Sequence, residues 1–367
     1  MKVLVSDKMS EAGIEIFEAR EGIEVDVNTE LSPEELLAVI PKYDALAIRS
    51  STQVTEEVLE AAERLKVVAR AGIGLDNVDI DAATKKGVAV MNTPGGNTVT
   101  TAEHAIAMMM ALTRNIPKGT ASLKGGRWEK KHLQGREISN KTLGVIGFGN
   151  IGSIAAGLGK GLRMKVIVFD PNISSEHITK AGFEYVSLED LYTRADYITI
   201  HVPKLDSTID LLDEEAFGKM KDGVMVINCS RGGIVNESAL HDAIKSGKVA
   251  GAALDVFATE PPGEHPLLEL EEVIATPHLG ASTMEAQENV AVAAARQILS
   301  YLLEDTVINA VNVPSVTGEV LKQLKPFLYL AEKMGKMMAQ ITPGGVTRVD
   351  IEYIGKFPDL DMKPVTI

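Results

Sequence analysis

The chain has 367 residues, more than a single hydrophobic core normally supports, so we expect two or more domains. Its net charge of −14 at pH 7 argues against nucleic-acid binding, and no apolar run is long enough to cross a membrane. The single cysteine, Cys229, excludes an intrachain disulfide, and because the first residues lack a signal-peptide layout we expect a cytoplasmic protein.

The first part of the chain alternates short apolar runs with helix-like segments, which predicts a parallel sheet whose strands are joined by helices. The strand candidates are residues 3–5, 25–27, 45–48 and 67–69, and the helix candidates are residues 14–19, 34–40 and 56–62. Residues 98–113 follow as a long apolar helix candidate that begins with threonines able to cap it. Residues 124–135 carry the only tryptophan, Trp128, in a polar and basic setting. We predict that residues 98–136 form the subunit interface of a homodimer or homotetramer.

Residues 143–171 predict a dinucleotide site. The apolar run 143–146 ends at Gly147, and Gly147, Gly149 and Gly152 form a G-x-G-x-x-G pattern that opens a helix. The first glycine permits a tight turn, the second lets the backbone approach a pyrophosphate, and the third lets the helix pack closely.

The helix after the glycine turn would bind the phosphates. It begins with Asn150 and Ile151, and its N-terminus would present unpaired N–H groups and the positive end of the helix dipole. A second apolar run, residues 166–169, ends at Asp170, whose carboxylate would accept hydrogen bonds from the ribose hydroxyls and repel a 2′-phosphate. These features predict NAD rather than NADP as the cofactor.

More strand candidates extend this second sheet, which predicts two α/β domains. They are residues 197–200, 224–228, 250–255 and 273–275. A helix candidate, residues 283–303, could return to the first domain. We therefore expect a discontinuous domain of residues 1–96 and 283–315, and a dinucleotide-binding domain of residues 97–282.

The tail, residues 316–367, does not fit this plan. It offers one helix candidate, residues 320–339, and one strand candidate, residues 347–354. A single strand has too little sheet to be stable alone. We expect the start of a further, incomplete domain, or a segment that pairs with another chain.

Three ionisable residues follow strand candidates, at the sheet edge where ligands of α/β proteins bind: Arg231, Glu260 and His278. His278 could take a proton from a substrate hydroxyl, and Glu260 could orient its ring. Arg231 could bind a substrate carboxylate through two parallel hydrogen bonds. His201 also ends a strand candidate, and spacing alone does not separate it from His278.

Four segments together resemble the D-isomer-specific 2-hydroxyacid dehydrogenase family; they are residues 143–171, 228–237, 252–262 and 275–283, and the resemblance extends over residues 1–314. It implies a flavodoxin-like substrate domain and a Rossmann domain with an inter-domain cleft. It also implies that Arg231, Glu260 and His278 are catalytic and that His201 lies beside the cofactor. The other cofactor contacts that it implies are Val202, Pro203, Cys229, Ser230, Asp255, which would contact the nicotinamide amide, and Gly280. We predict no metal site.

Other segments are most similar to the members of this family that oxidise 3-phospho-D-glycerate to 3-phosphohydroxypyruvate, the first step of serine biosynthesis. These segments are residues 47–55, 70–79, 91–104 and 277–287. The similarity implies that Arg49 and Ser50 face the substrate phosphate. It also implies that Ala71, Gly72 and Ile73 turn backbone N–H groups toward the substrate carboxylate, as a small anion nest. We therefore expect a phosphorylated hydroxy acid as the substrate.

Two other functions stay open. A reductase of unphosphorylated 2-oxo acids, such as glyoxylate or hydroxypyruvate, would not need Arg49. An NAD-sensing binding protein similar to transcriptional co-repressors is a hypothesis of another class, and the intact set of Arg231, Glu260 and His278 argues against it. Longer members of the family continue into an effector-binding region and a serine-binding domain, and the tail resembles the entry to that region. We therefore expect no feedback control by serine in this chain alone.

Overall fold

The computed structural model describes residues 1–313 and 318–341. The strands in these residues are β1 (Lys2–Val5), β2 (Glu24–Val27), β3 (Ala45–Ile48), β4 (Val67–Arg70), β5 (Ala89–Met91), β6 (Thr142–Ile146), β7 (Lys165–Phe169), β8 (Glu184–Tyr185), β9 (Tyr197–Ile200), β10 (Val224–Asn228), β11 (Val249–Leu254) and β12 (Val273–Ala275). The α-helices are α1 (Glu11–Glu18), α2 (Pro33–Val39), α3 (Glu56–Ala61), α4 (Ile80–Lys86), α5 (Thr98–Thr113), α6 (Ile116–Lys124), α7 (Asn150–Gly161), α8 (Ser175–Lys180), α9 (Leu188–Arg194), α10 (Glu214–Lys219), α11 (Glu237–Lys245), α12 (Met284–Glu304) and α13 (Gly318–Ile341). The strand expected at residues 347–354 lies outside the described residues.

The chain divides into two compact units, of which the first contains Met1–Gly96 and the described residues from Met284 onward. Its five strands form a parallel sheet in the order β2-β1-β3-β4-β5, the flavodoxin-like order. Strand β3 is buried along its whole length, because apolar side chains cover both faces of the sheet. Helix α4 and strand β5 were not predicted, because the last strand candidate for this sheet ended at residue 69.

Helix α12 returns to the first sheet and packs on α1. A Cβ placed on Gly13 of α1 would lie 2.8 Å from the Cβ of Ala291, so the two helices touch through their backbones. Ala294 and Ala295 are fully buried in the same apolar cluster as strands of the sheet. Small side chains along α12 therefore allow this close approach, and the helix predicted at residues 283–303 does return to the first sheet.

The second unit, Asn97–Thr283, contains a seven-stranded sheet in which all strand pairs are parallel. The strand order is β12-β11-β10-β9-β6-β7-β8, a Rossmann order that reverses direction between β6 and β9. Ligands of such sheets bind beyond the carboxyl ends of the strands at this reversal. The predicted two-sheet α/β fold is therefore confirmed. The exposed two-residue strand β8 gave no apolar signal and was not predicted.

Helix α5 has the predicted bounds, but threonines do not cap it. Asn97 occupies the N-cap position and makes no side-chain capping bond, because the threonines already lie inside the helix. The Thr101 hydroxyl instead donates to the carbonyls of Asn97 and Gly280. Apolar residues of α5, including Met109, pack on the second sheet. The hydroxyl of Thr101 thus fastens α5 to a loop at the carboxyl edge of that sheet.

Helix α13 extends slightly beyond the predicted residues 320–339. Among the residues of α13 whose side chains are described, several apolar ones are exposed, including Tyr329, Met334 and Met337. In the described parts of the chain, no helix combines the length and the apolar character that a membrane span requires.

Candidate active site

The glycine turn lies at the reversal of the strand order. Gly147 directly follows β6 and has a φ of 92°, a conformation that favours glycine. A Cβ at Gly147 would lie 2.6 Å from the carbonyl oxygen of His201, and a Cβ at Gly152 would collide with the carbonyl of Gly147. Gly149 and Asn150 are exposed at the start of α7, and Ile151, the next residue of the helix, is half-buried. The backbone is therefore open to a ligand at the helix N-terminus, where phosphate groups bind.

Asp170 ends β7 and is almost completely buried. Its Oδ2 accepts the N–H of Phe148 at 2.7 Å, and its Oδ1 accepts the N–H of Asn172 at 2.8 Å and of Ile173 at 3.2 Å. The carboxylate therefore ties the glycine turn to the loop after β7. Its contact with a ribose stays a prediction, and the structure adds this supporting role, which the sequence did not reveal.

Glu260 and His278 form a direct pair, in which Glu260 Oε2 lies 2.6 Å from His278 Nδ1. Oε1 of Glu260 also accepts the Phe257 N–H at 3.1 Å. Partial burial acts to raise the pKa of Glu260, but the hydrogen bonds from His278 and Phe257 outweigh it, so the pKa lies below its usual value. An ionised Glu260 holds the proton of His278 on Nδ1 and leaves the Nε2 lone pair available.

The backbone of His278 is itself unusual. Its φ is 54°, in the left-handed region that few residues other than glycine and asparagine adopt. Its N–H donates to the carbonyl of Asp255 at 2.9 Å. Such a conformation persists only where neighbours hold it, and it is common at active sites.

Asp255 supplies most of that support. Its carboxylate, 1% exposed, accepts the Thr276 hydroxyl at 2.6 Å, the Leu279 N–H at 2.7 Å and the Gly280 N–H at 2.8 Å. His104 Nε2 lies 3.2 Å from the same carboxylate. Burial acts to raise the pKa of Asp255, but the bonds from His104, Thr276 and Leu279 outweigh it and lower the pKa.

Sequence reasoning missed His104. The available signal was a histidine inside a largely apolar helix, α5. Together with Cys229 and Asp255, His104 offers three ligand atoms that lie within 4.8 Å of one another, a spacing that a metal ion could use. Burial raises the pKa of the Cys229 thiol, however, which disfavours the thiolate that metals bind.

Arg231 lies in the loop after β10, beside the loop that carries Glu260. The Arg231 carbonyl accepts the Asn228 side-chain amide at 2.9 Å, and Ser230 donates its hydroxyl to Asn228 Oδ1 at 2.8 Å. A Cβ on Gly232 would collide with the carbonyl of Phe257, so the two loops touch through their backbones. The structure thus brings the loops of all three predicted catalytic residues to neighbouring strands β10, β11 and β12.

His201 follows β9 and differs from His278 in its surroundings. Its Nε2 lies 3.0 Å from the Thr199 hydroxyl. Burial lowers the pKa of the His201 imidazole to about 4, so the ring is neutral near pH 7. Of the next two residues, Val202 is half-buried and Pro203 is exposed. A neutral, half-buried ring fits a position beside a cofactor better than a role in proton exchange.

The predicted substrate residues belong to the first unit. Arg49 follows β3, and its N–H donates to Asp7 Oδ2 at 2.5 Å while its Nη1 donates to the Lys8 carbonyl at 3.1 Å. Asp7 is buried, and its carboxylate also accepts the N–H and the hydroxyl of Thr52. The adjacent Ser50 is exposed.

Two of the three N–H groups of the predicted anion nest already have partners within the first unit, and the contact of the nest with a substrate carboxylate stays a prediction. The Ala71 N–H donates to the carbonyl of Ile48 at 2.8 Å, because the pairing of β4 with β3 continues for one more residue. The Gly72 N–H donates to the Thr93 hydroxyl at 2.8 Å. The carbonyl of the third residue, Ile73, accepts the Asn92 amide at 2.7 Å.

Comparisons with known proteins identify the family of this chain. Residues 106–280 match the NAD binding domain of the D-isomer specific 2-hydroxyacid dehydrogenases, and residues 323–367 match the D-3-phosphoglycerate dehydrogenase intervening domain. The D-3-phosphoglycerate dehydrogenase of Archaeoglobus fulgidus is 47% identical over 367 residues, which are 100% of this chain and 69% of that protein. The chain belongs to the D-3-phosphoglycerate dehydrogenase family.

Two other known proteins support the same family. The D-3-phosphoglycerate dehydrogenase of Synechocystis is 48% identical over 350 residues, which are 95% of this chain and 63% of that protein. A D-lactate dehydrogenase from Aquifex aeolicus, solved in complex with NAD and lactic acid, has 28% identity and a TM-score of 0.74 over 86% of this chain and 100% of its own. Members of the D-3-phosphoglycerate dehydrogenase family are oxidoreductases that use NAD. The predicted family, enzyme class and cofactor are therefore confirmed.

Proposed function

We propose that this chain oxidises 3-phospho-D-glycerate to 3-phosphohydroxypyruvate with NAD, as the first step of serine biosynthesis in the cytoplasm. The observation that carries the proposal is the 2.6 Å contact between Glu260 and His278 at the carboxyl edge of the second sheet. The curated relatives with 47% and 48% identity carry the name of this enzyme.

The chain has the features that NAD requires. The turn from Gly147 to Gly152 lacks side chains where they would collide with the backbone, and the N-terminus of α7 is exposed. These residues would hold the pyrophosphate, while Asp170 would meet the ribose and His201 would lie beside the nicotinamide. When bound, NAD supplies the acceptor for the hydride from C2 of the substrate.

His278 moves the proton in this proposal. Because Glu260 faces Nδ1, the other ring nitrogen, Nε2, takes the proton of the C2 hydroxyl during oxidation and returns it during reduction. Glu260 stabilises the imidazolium that forms. The guanidinium of Arg231 holds the substrate carboxylate with two parallel hydrogen bonds.

Arg49 and Ser50 would recognise the substrate phosphate. Asp7 fixes the backbone of this loop, and the bond from Arg49 to the Lys8 carbonyl orients the guanidinium. Ser51 stands at a position where some family members carry a second arginine, so Arg49 would supply most of the charge.

Steady-state NADH oxidation tests the substrate. Purified protein would be assayed with 3-phosphohydroxypyruvate, hydroxypyruvate and glyoxylate under identical conditions. We expect kcat/KM to favour the phosphorylated acid by about a hundredfold, equivalent to about 2.7 kcal/mol of transition-state binding. Similar values for the three acids would instead identify a general reductase of 2-oxo acids.

We also propose a homodimer or homotetramer that assembles through residues 98–136. Several large apolar side chains of this segment are exposed: Val99, Ile116, Leu123 and Trp128, the last at 81%. Exposed large apolar side chains concentrated in one segment of the chain are typical of a protein interface. Sedimentation of the wild type and of Trp128→Glu would test this, and a monomeric wild type would contradict it.

The domain boundaries remain a proposal as well: residues 1–96 with 283–315, residues 97–282, and residues 316–367. We expect limited proteolysis to spare residues 97–282 and to leave a fragment that retains NAD binding. A first cut inside residues 97–282 would contradict these boundaries.

A further inference from the structure

A second pair of carboxylate and imidazole lies next to the loop that carries Glu260. Glu237, the first residue of α11, places its Oε2 3.1 Å from Nε2 of His265. Both side chains are mostly buried, with exposures of 22% and 18%. Charged and polar groups at this depth need partners, so their hydrogen bonds indicate what the pair does.

The other oxygen of Glu237 holds the catalytic loop. Oε1 accepts the N–H of Ala258 at 2.7 Å, while the preceding N–H, that of Phe257, donates to Glu260. Two consecutive N–H groups of the loop are therefore bound by two different carboxylates. Glu260 belongs to the loop itself, whereas Glu237 belongs to α11. Glu237 therefore connects the loop to the rest of the unit.

His265 fixes the orientation of Glu237. Nδ1 of His265 accepts the N–H of Leu267 at 3.3 Å, so the neutral ring carries its proton on Nε2 and donates it to Glu237. The ring of Phe257 packs edge-on against the imidazole, with 5.5 Å between the ring centres. The imidazole is thus held in one tautomer and one orientation, unlike a ring that exchanges protons with a substrate.

Glu237 also connects two catalytic loops. Helix α11 follows the loop of Arg231 in sequence, and the side chain of Asn236 caps it by accepting the Ala239 N–H at 2.9 Å. The neighbouring Gly232 touches the backbone of Phe257. A displacement of Glu237 would therefore change how the Glu260 loop packs on the Arg231 loop.

We propose that Glu237, oriented by His265, is a positioning residue that holds the loop of Phe257 and Ala258 so that Glu260 meets His278. This inference rests on the catalytic roles proposed above for Glu260 and His278. Glu237 acts through the backbone of the loop and does not touch the substrate.

The test compares Glu237→Ala with Glu237→Gln. Alanine removes the acceptor of the Ala258 N–H, whereas the glutamine carbonyl can still accept it. In Glu237→Ala we expect kcat for oxidation to fall about tenfold, while the Kd for NAD changes less than twofold. We expect Glu237→Gln to retain at least a third of the wild-type kcat.

The pH dependence separates positioning from a general loss of structure. A displaced Glu260 stabilises the imidazolium less, so His278 loses its proton at lower pH. Oxidation needs the unprotonated ring, and we therefore expect the acid limb of kcat/KM in Glu237→Ala to move to lower pH by about half a pH unit. A lower kcat with an unmoved acid limb would overturn the proposal.

Two further variants serve as a control and as an alternative to Glu237→Ala. Glu264→Ala removes one exposed negative charge beside His265 and should leave kcat and the acid limb unchanged. If Glu237→Ala does not fold, His265→Asn serves instead, because asparagine can still accept the Leu267 N–H but is too short to reach Glu237. An acid limb in His265→Asn identical to that of the wild type would then overturn the proposal.

His278→Ala distinguishes a failure of this inference from a failure of the proposed function. If His278→Ala keeps normal turnover, the proposed catalytic roles are wrong, and the inference about Glu237 is overturned as well. If His278→Ala is inactive while Glu237→Ala matches the wild type in kcat and acid limb, the catalytic roles stand and the positioning role alone is overturned.

Discussion

His201 and His278 both follow strands of the second sheet, β9 and β12, but their rings have different neighbours. The His201 ring is paired with the hydroxyl of Thr199, and burial lowers its pKa to about 4. The His278 side chain is 48% exposed and lies 2.6 Å from the carboxylate of Glu260. A hydroxyl cannot stabilise an imidazolium as a carboxylate does, so only His278 has a partner suited to both protonation states.

This difference shows what a strand-end position does and does not determine. The end of a parallel strand brings a histidine to the edge where ligands bind. Whether the ring exchanges protons there depends on solvent access and on a charged partner from another loop. Glu260 comes from the loop after β11, so the pair forms only when that loop meets the loop after β12.

The largest expected effect comes from removing one histidine at a time. We expect His278→Ala to lower kcat by about a thousandfold, because general acid–base catalysis typically contributes between a hundredfold and ten-thousandfold. His201→Ala should retain at least a tenth of the wild-type kcat and raise KM for NAD. Steady-state kinetics with both variants would check this, and the reverse ranking would assign proton transfer to His201.

Sequence patterns predicted the strands of the second sheet well, because its buried strands are continuous apolar runs that end in polar residues. The positions of Arg231, Glu260 and His278 followed from those ends. Patterns could not reveal the pairs His104–Asp255 and Glu237–His265, because each joins elements far apart in the chain. The partners of the Ala71 and Gly72 N–H groups were not predictable for the same reason, since they are the carbonyl of Ile48 on β3 and the hydroxyl of Thr93 after β5.

A smaller effect is expected when His278 keeps its ring but loses its charged partner. In Glu260→Gln the amide can still contact Nδ1, but it does not stabilise the imidazolium. We expect kcat to fall between about tenfold and a hundredfold, less than in His278→Ala because Nε2 remains. The acid limb of kcat/KM for oxidation should also move to lower pH, and a limb that moves to higher pH would contradict the role of Glu260.

The same carboxylate makes a prediction about stability. The pKa of Glu260 is lowered from its usual 4.5 in the folded chain, so its ionised pair with His278 favours folding above pH 4.5 and loses this effect as the pH falls through the folded-state pKa. The difference in Tm between the wild type and Glu260→Gln should therefore be largest above pH 4.5 and shrink toward pH 3. Calorimetry at several pH values would check this, and a difference that grows toward pH 3 would contradict it.

The smallest effect is expected at the partner of His201. Burial is what lowers the pKa of His201, and Thr199→Val removes the hydroxyl but keeps the burial. Loss of one neutral hydrogen bond, worth about 1 kcal/mol, should raise KM for NAD by no more than about fivefold. The ring resonance of His201, assigned in NMR spectra by comparison with His201→Asn, should still not titrate above pH 5. A titration near pH 6.5 in Thr199→Val would mean that the hydroxyl keeps the ring neutral, and the contrast with His278 would then depend on hydrogen bonding as well as on burial.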